Sequence, residues 1–307
     1  MENLHSDFLE NILSRLPTKE ALHAKRVCTT WREILRKKTE RSGFLFAFFH
    51  AESNNKVRKQ LFYGDEYDHY DHANINHYYS DRTLSKIQHG KCIMKSSPRD
   101  IMVGSCNGLV LIGKYNRDAL GLLPSLICNP LTRESVFLPD YSYSKYPQGH
   151  VSNGFGYSPS TNKYKVVTLH CNQNNHKGHF QVYTIGGKWR YIGSIRRFNH
   201  SSNAVDCSTG IYANGALHWL HKSDPYGQER QIVALDMESE RFRYIALPLS
   251  DQPPPKLLGG KNNLYLCYTI TDYVSYRTDI WAIPHIQTSL SLKDLGETNV
   301  TFLKDLE

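Results

Sequence analysis

No stretch of this sequence is long and apolar enough to cross a bilayer as a helix. The longest unbroken apolar run is Phe44–Phe49, against the roughly 18 residues that a span requires. The opening residues, MENLHSDFLE, have no basic segment leading into an apolar one. No secretory leader is therefore expected, and the cytosol or nucleus is the expected compartment. The seven cysteines (Cys28, Cys92, Cys106, Cys128, Cys171, Cys207 and Cys267) are scattered, with no pair at C-x-x-C spacing. That argues against a zinc ribbon or a disulfide framework and for buried, reduced thiols.

Catalytic constellations are missing as well. In Gly104-Ser105-Cys106-Asn107-Gly108 the central position of a nucleophile elbow holds Cys106 rather than Ser, so the segment reads as a strand entering an Asn-Gly turn. Gly154-Phe155-Gly156 lacks the third glycine and the following helix of a dinucleotide fingerprint. The densest set of acids and imidazoles is Asp65-Glu66-Tyr67-Asp68-His69-Tyr70-Asp71-His72, with His77 nearby. Metal sites need fixed geometry, and this stretch reads as a polar loop between strands. Asn199-His200-Ser201 and Asn299-Val300-Thr301 match the glycosylation pattern, which a cytosolic chain would not use. No enzyme activity, cofactor or metal is expected.

The chain has 307 residues, about twice a typical domain, so one large domain and one small one are the prior. Apolar residues make up 40% and charged residues 21%, enough to bury a core. Twenty Tyr, twelve Phe and many turn formers favour strands. The net charge of +8 is uneven: residues 15–41 carry nine Lys or Arg against three Glu. No aromatic platform interleaves with these cations, so a solvated helix face or a face for an acidic protein fits better than a nucleic-acid surface.

Phe8, Leu9, Ile12, Leu13 and Leu16 make an apolar stripe at helical spacing, and Pro17 ends it. Thr18 begins a second short helix with Ala21, Leu22 and Ala24. Thr30 and Glu33 have capping-box spacing for a third, with Trp31, Ile34 and Leu35. Three short helices in about 40 residues make a poor core, so this segment needs a neighbouring domain or another protein.

A repeat follows. Asn107-Gly108, an apolar strand, Leu126–Asn129, a tight turn and a strand ending in Leu138-Pro139 reappear as Asn214-Gly215, an apolar strand, Ile232–Asp236, a turn and a strand ending in Leu247-Pro248. Another unit lies between them: Phe155–Tyr157, Tyr164–Leu169, Phe180–Tyr183, a Gly186-Gly187 turn and Trp189–Ile192. A further unit covers Leu264–Tyr268 and Asp279–Ile283, and a partial one covers Phe44–Phe49 and Leu61–Tyr63. The period is about 54, close to the roughly 50 residues of a kelch blade. One sheet cannot bury both faces alone, and neighbours around a ring do that.

Two family resemblances rest on these residues. Leu4, Ile12-Leu13-Ser14-Arg15-Leu16-Pro17, Leu22, Arg26-Val27-Cys28, Trp31 and Ile34 resemble the F-box pattern, with His5 where the family usually has Pro. GSCNGLVLI, ICNPLTRESVFLP, GFGYSPSTNKYKVV, LHWL, IVALDMESERFRYIALP and TDIWAI resemble the F-box-associated (kelch-like, type 1) domain of plant F-box proteins. The resemblance implies a mainly β chain: an F-box over residues 1–43, a linker with a partial blade over 44–94, a β-propeller over 95–283 and a divergent tail over 284–307. The family's Ser-Trp pair is absent after Ile283, so either the ring closes differently or this copy is truncated with an open ring. The resemblance also implies a non-catalytic substrate receptor of an SCF-type ubiquitin ligase. Leu4, Ile12, Leu13, Leu16, Pro17, Leu22, Val27, Cys28 and Trp31 would be F-box core or contacts to a Skp-type adaptor, and through it to a cullin. The target protein and its contact residues are not specified. The alternatives are a ligase-independent binder of RNA or protein and a truncated, inactive copy.

Overall fold

A computed structural model of the chain describes residues 6–16, 18–39, 43–51, 57–65, 84–86, 100–117, 121–130, 132, 134–140, 149–172, 177–195, 209–222, 230–247, 255–259, 263–271, 276–283 and 296–298. The chain divides into two compact units, Met1–Arg99 with Cys128–Ser135, and Asp100–Ile127 with Val136–Glu307.

The first unit begins with three helices, α1 (Ser6–Ser14), α2 (Thr18–Ala24) and α3 (Thr29–Thr39). It continues with strands β1 (Gly43–Ala51), β2 (Val57–Asp65) and β3 (Leu84–Lys86), which form one antiparallel sheet. The partial blade expected at Phe44–Phe49 and Leu61–Tyr63 corresponds to the β1–β2 hairpin, in which Phe46 stands opposite Phe62.

Four four-stranded sheets follow, each ordered as a meander, and their strands lie in the second unit except for Cys128 and Ser135. They are β4 (Asp100–Cys106), β5 (Leu109–Asn116), β6 (Gly121–Cys128) and β7 (Ser135–Phe137); β8 (Gly149–Ser158), β9 (Lys163–Asn172), β10 (Lys177–Thr184) and β11 (Trp189–Ile195); β12 (Ile211–Ala213), β13 (Ala216–Lys222), β14 (Arg230–Asp236) and β15 (Phe242–Ala246); and β16 (Lys256–Gly259), β17 (Leu264–Thr271), β18 (Tyr276–Ile283) and β19 (Gly296–Thr298). The expected repeat is thus present in space, and β19 from the divergent tail pairs with β18 as a fourth strand. The first strands gather together, with β12 approaching β4, β8 and β16. Gly154 and Gly210 form a parallel bridge there. This is a four-bladed, propeller-like arrangement.

The sheets are held face to face by three apolar layers. Val103, Leu111, Ile127, Phe155, Val166 and Tyr183 fill the space between the first and second sheets. Val167, Leu169, Phe180, Leu217, Trp219 and Val233 fill the next. Ala213, Ile232, Leu257, Leu264, Leu266 and Ile283 fill the third. Val166 and Val167 face opposite layers, as do Ile232 and Val233. A strand buried on both faces has no polar side to show, hence unbroken apolar runs instead of alternation.

The Asn-Gly pairs form the hairpin turns that their chemistry favours. Asn107 and Gly108 have φ of 48° and 78°, and Asn214 and Gly215 have 50° and 74°. Positive φ at both central residues is the I′ signature. Gly154 has a different role. A Cβ there would lie 2.9 Å from both Leu217 methyls and 3.0 Å from the Trp219 ring, so its hydrogen lets the second and third sheets approach.

Polar ties cross the same layers. Lys165 is buried, and its Nζ donates to Met237 O and to Glu240, which also receives Arg190. Trp189 Nε1 donates to Pro139 O at 3.0 Å, and the Tyr212 hydroxyl to Tyr157 O at 2.9 Å. Asn153 bonds three sheets. Its Nδ2 donates to Leu122 O, its Oδ1 accepts from Thr168 Oγ1, and its main-chain O accepts from Gly210 N.

Candidate adaptor-docking site

The helical segment closes on a very small core. Leu13, Ala21 and Leu35 are almost fully buried, with Leu9, Leu16, Ala24, Trp31 and Ile34 packed against them. Helix α1 explains why the core stays small. Leu9, Leu13 and Leu16 lie on one stripe, and Phe8 and Ile12 lie on a second stripe about 100° away. Only the first stripe is covered. Phe8 is 68% exposed and Ile12 56%. Val27, in the turn before α3, is 63% exposed. Apolar side chains one helical turn apart and facing solvent are what a partner groove would cover.

The helix ends are built locally. Past Ser14 the chain tightens, with Arg15 N bonding Ile12 O and Leu16 N bonding Leu13 O, which satisfies carbonyls that the helix leaves open. The start of α3 differs from the expected capping box. Thr30 lies inside the helix, and Cys28 is the cap. Its Sγ accepts from Trp31 N at 3.5 Å, while its carbonyl accepts from Arg32 N at 3.1 Å. Glu33 is drawn instead towards Arg36, 3.6 Å away on an exposed face.

The residues carried over from the family pattern fall into distinct places. Leu13 is core. Leu16 and Trp31 are half-buried against that core, and Ile12, Val27 and Cys28 are exposed. Leu22 lies in α2, with its side chain outside the description. Leu4, His5 and Pro17 lie outside the described residues. Phe8 is the exposed residue that the carried-over set omits. The signal was its place one turn before Ile12.

The second unit has its own exposed aromatics, Tyr115, Phe137, Tyr191 and Tyr244, on β5, β7, β11 and β15. Its interior holds imidazoles. His170, His218 and His221 are buried, and burial pushes each down to about 4; His179 and His150 lower His170 further. Among the described residues no three His, Cys, Asp or Glu side chains are grouped so as to hold a metal. Of the acid- and histidine-rich stretch, only Asp65 is described, as the last residue of β2. Glu66–His72 and His77 lie outside the described residues, as do both glycosylation-pattern asparagines. The nucleophile-elbow lookalike is the β4–β5 turn, as expected, and Gly154-Phe155-Gly156 runs within β8.

Comparison with known proteins agrees with this architecture. Residues 1–41 match the family model of the F-box domain, and residues 48–274 match that of the F-box associated beta propeller domain. The F-box protein At3g07870 of Arabidopsis thaliana is 26% identical over 92% of this chain and 69% of its own length. The F-box protein DOR of the same plant is 29% identical over 80% of this chain and 62% of its own length. The F-box/kelch-repeat protein At3g23880, also from Arabidopsis thaliana, is 28% identical over 80% and 66%. The chain thus spans about two thirds of the length of these relatives. With an F-box match at its start and a propeller match over more than half its length, the chain belongs to the plant F-box proteins that carry an F-box associated beta propeller domain.

Proposed function

We propose that this protein is the substrate-recognition subunit of an SCF-type cullin-RING ubiquitin ligase, working in the cytosol or nucleus. The F-box helices dock on a Skp-type adaptor and through it on a cullin, and the propeller holds a target protein for ubiquitination. The subunit carries out no bond chemistry. It raises the concentration of the target near the ubiquitin-loaded enzyme, as any tether raises the rate of a bimolecular step.

One observation carries the reading. The small helical core leaves Phe8 and Ile12 uncovered on α1. A module that cannot bury its own apolar surface is suited to burying it against another chain. The test is capture of the protein by a purified Skp-type adaptor, with far-UV circular dichroism as the control for folding. Phe8→Ala with Ile12→Ala should abolish capture and leave the spectrum unchanged, because neither side chain belongs to the Leu13–Ala21–Leu35 core. Undiminished capture by that double variant would remove α1 from the interface.

A further inference from the structure

The two Asn-Gly hairpins are duplicates in conformation but not in tethering. In the third sheet the turn Asn214-Gly215 is half-buried, and Gly215 O accepts from Met237 N at 2.9 Å. Met237 is itself held. Its carbonyl receives Lys165 Nζ, and the preceding Asp236 receives Glu238 N, Ser239 N and Ser239 Oγ. The first sheet repeats most of this design. Asn129 N bonds Glu134 O as Asp236 N bonds Arg241 O, and Asn129 Oδ1 caps Thr132 N as Asp236 Oδ1 caps Ser239 N. In that alignment Pro130 takes the place of Met237, and proline has no N–H to give. The bond that ties the Asn214 turn is therefore chemically impossible for its duplicate. Asn107 and Gly108 are both exposed, whereas Asn214 and Gly215 are half-buried.

We propose that Asn107 is a deamidation site, gated by opening of the β4–β5 hairpin, whose turn lacks the backbone tie that holds its duplicate. The Gly108 amide nitrogen attacks Asn107 Cγ. A Cγ–N bond forms, the Cγ–Nδ2 bond breaks, and ammonia leaves with the proton lost from Gly108 N. Water then opens the succinimide at either carbonyl, giving aspartate or isoaspartate. Ring closure requires Asn107 to leave its left-handed turn conformation, so the folded hairpin protects the side chain and its opening exposes it. Glycine after the asparagine leaves the attacking nitrogen unshielded. The isoaspartyl product lengthens the main chain by one carbon at a turn that tolerates no change of register, and it adds a negative charge there.

Folded full-length protein is incubated at physiological pH and temperature, and both sites are followed by peptide mapping with isoaspartate-resolving mass spectrometry. Asn107 should be lost about five-fold faster than Asn214, the ratio expected from one backbone hydrogen bond. Pro130→Met, which restores an N–H, should slow loss at Asn107 without moving Asn214. Equal or faster loss at Asn214 in the folded protein overturns the proposal. So does an unchanged rate at Asn107 in Pro130→Met, or an equal change at both sites.

Discussion

Acidification towards about pH 4 should unfold the propeller, and its buried imidazoles set the pH at which this occurs. His170, His218 and His221 are 1%, 5% and 4% exposed. Burial lowers each from the ordinary value of 6.5 to about 4. A histidine whose folded pKa is depressed stabilises the fold fully above its unfolded pKa. That contribution is lost as pH falls from about 6.5 towards 4, because the unfolded chain binds the proton first. A shift of about 2.5 units corresponds to about 3 kcal/mol for each ring, so the three together approach a typical domain's whole stability. Unfolding in the middle of the window takes up about three protons, a slope of about 4 kcal/mol per pH unit. Asp236 and Glu240 act at lower pH. Burial pushes both up, but hydrogen bonds from Ser239 and Glu238 to Asp236, and from Arg190 and Lys165 to Glu240, outweigh it. Their contribution is therefore lost as pH falls from the ordinary carboxylate range through their lower folded values. Urea titrations followed by tryptophan fluorescence at closely spaced pH values measure the slope. His218→Asn keeps a donor towards Ile211 O, where the Nδ1 of His218 lies 3.2 Å away, and should lower proton uptake by about one. Stability independent of pH between about 7 and 5 would refute the argument.

Three other outcomes follow from the packing. Glu240→Ala leaves Lys165 as a buried charge with a carbonyl partner only, and should cost about 3 kcal/mol by urea midpoint; adding Lys165→Met should recover most of it. Gly154→Ala drives a methyl into the fully buried Leu217 and Trp219, and should cost about 2 kcal/mol in the same measurement. Burial pushes Cys106 and Cys128 up to about 12 and 11, so iodoacetamide mapped by mass spectrometry should label exposed Cys28 in the native protein and reach those two only after denaturation. Labelling of Cys106 at the rate of Cys28 would contradict the burial described.

What the sequence disclosed depended on whether a local rule had a single physical solution. Asn107-Gly108 and Asn214-Gly215 were legible because few pairs besides Asn-Gly accept two positive φ angles in succession. The second sheet was legible because Phe180–Tyr183 and Trp189–Ile192 flank a Gly-Gly turn. Strands β12, β16 and β19 are three or four residues long and carry no pattern of their own, and their neighbours pair them. On α1, spacing alone could not separate Leu9 and Leu13 from Phe8 and Ile12, since both pairs obey the same period. Contact with Ala21 and Leu35 decides between them. Thr30 and Glu33 have the spacing of a capping box, yet the chain turns two residues earlier at Cys28. Buried histidines gave no signal, because a lone imidazole in a strand looks alike whether it faces solvent or a layer.

Asn153 has a consequence for how the ring can change over generations. Arrays of like units ordinarily gain and lose members freely, because each unit depends only on the one beside it. Here a single residue grips the sheet before its own and a hydroxyl within its own through its side-chain amide, and the entrance of the sheet after it through its main-chain carbonyl. Removing or inserting a sheet would strand a buried polar group of Asn153 without its partner, the side-chain amide on one side and the main-chain carbonyl on the other, at a cost of about 1–3 kcal/mol. The ring should therefore vary between relatives in its loops and edge strands, and keep the number and order of these three sheets fixed.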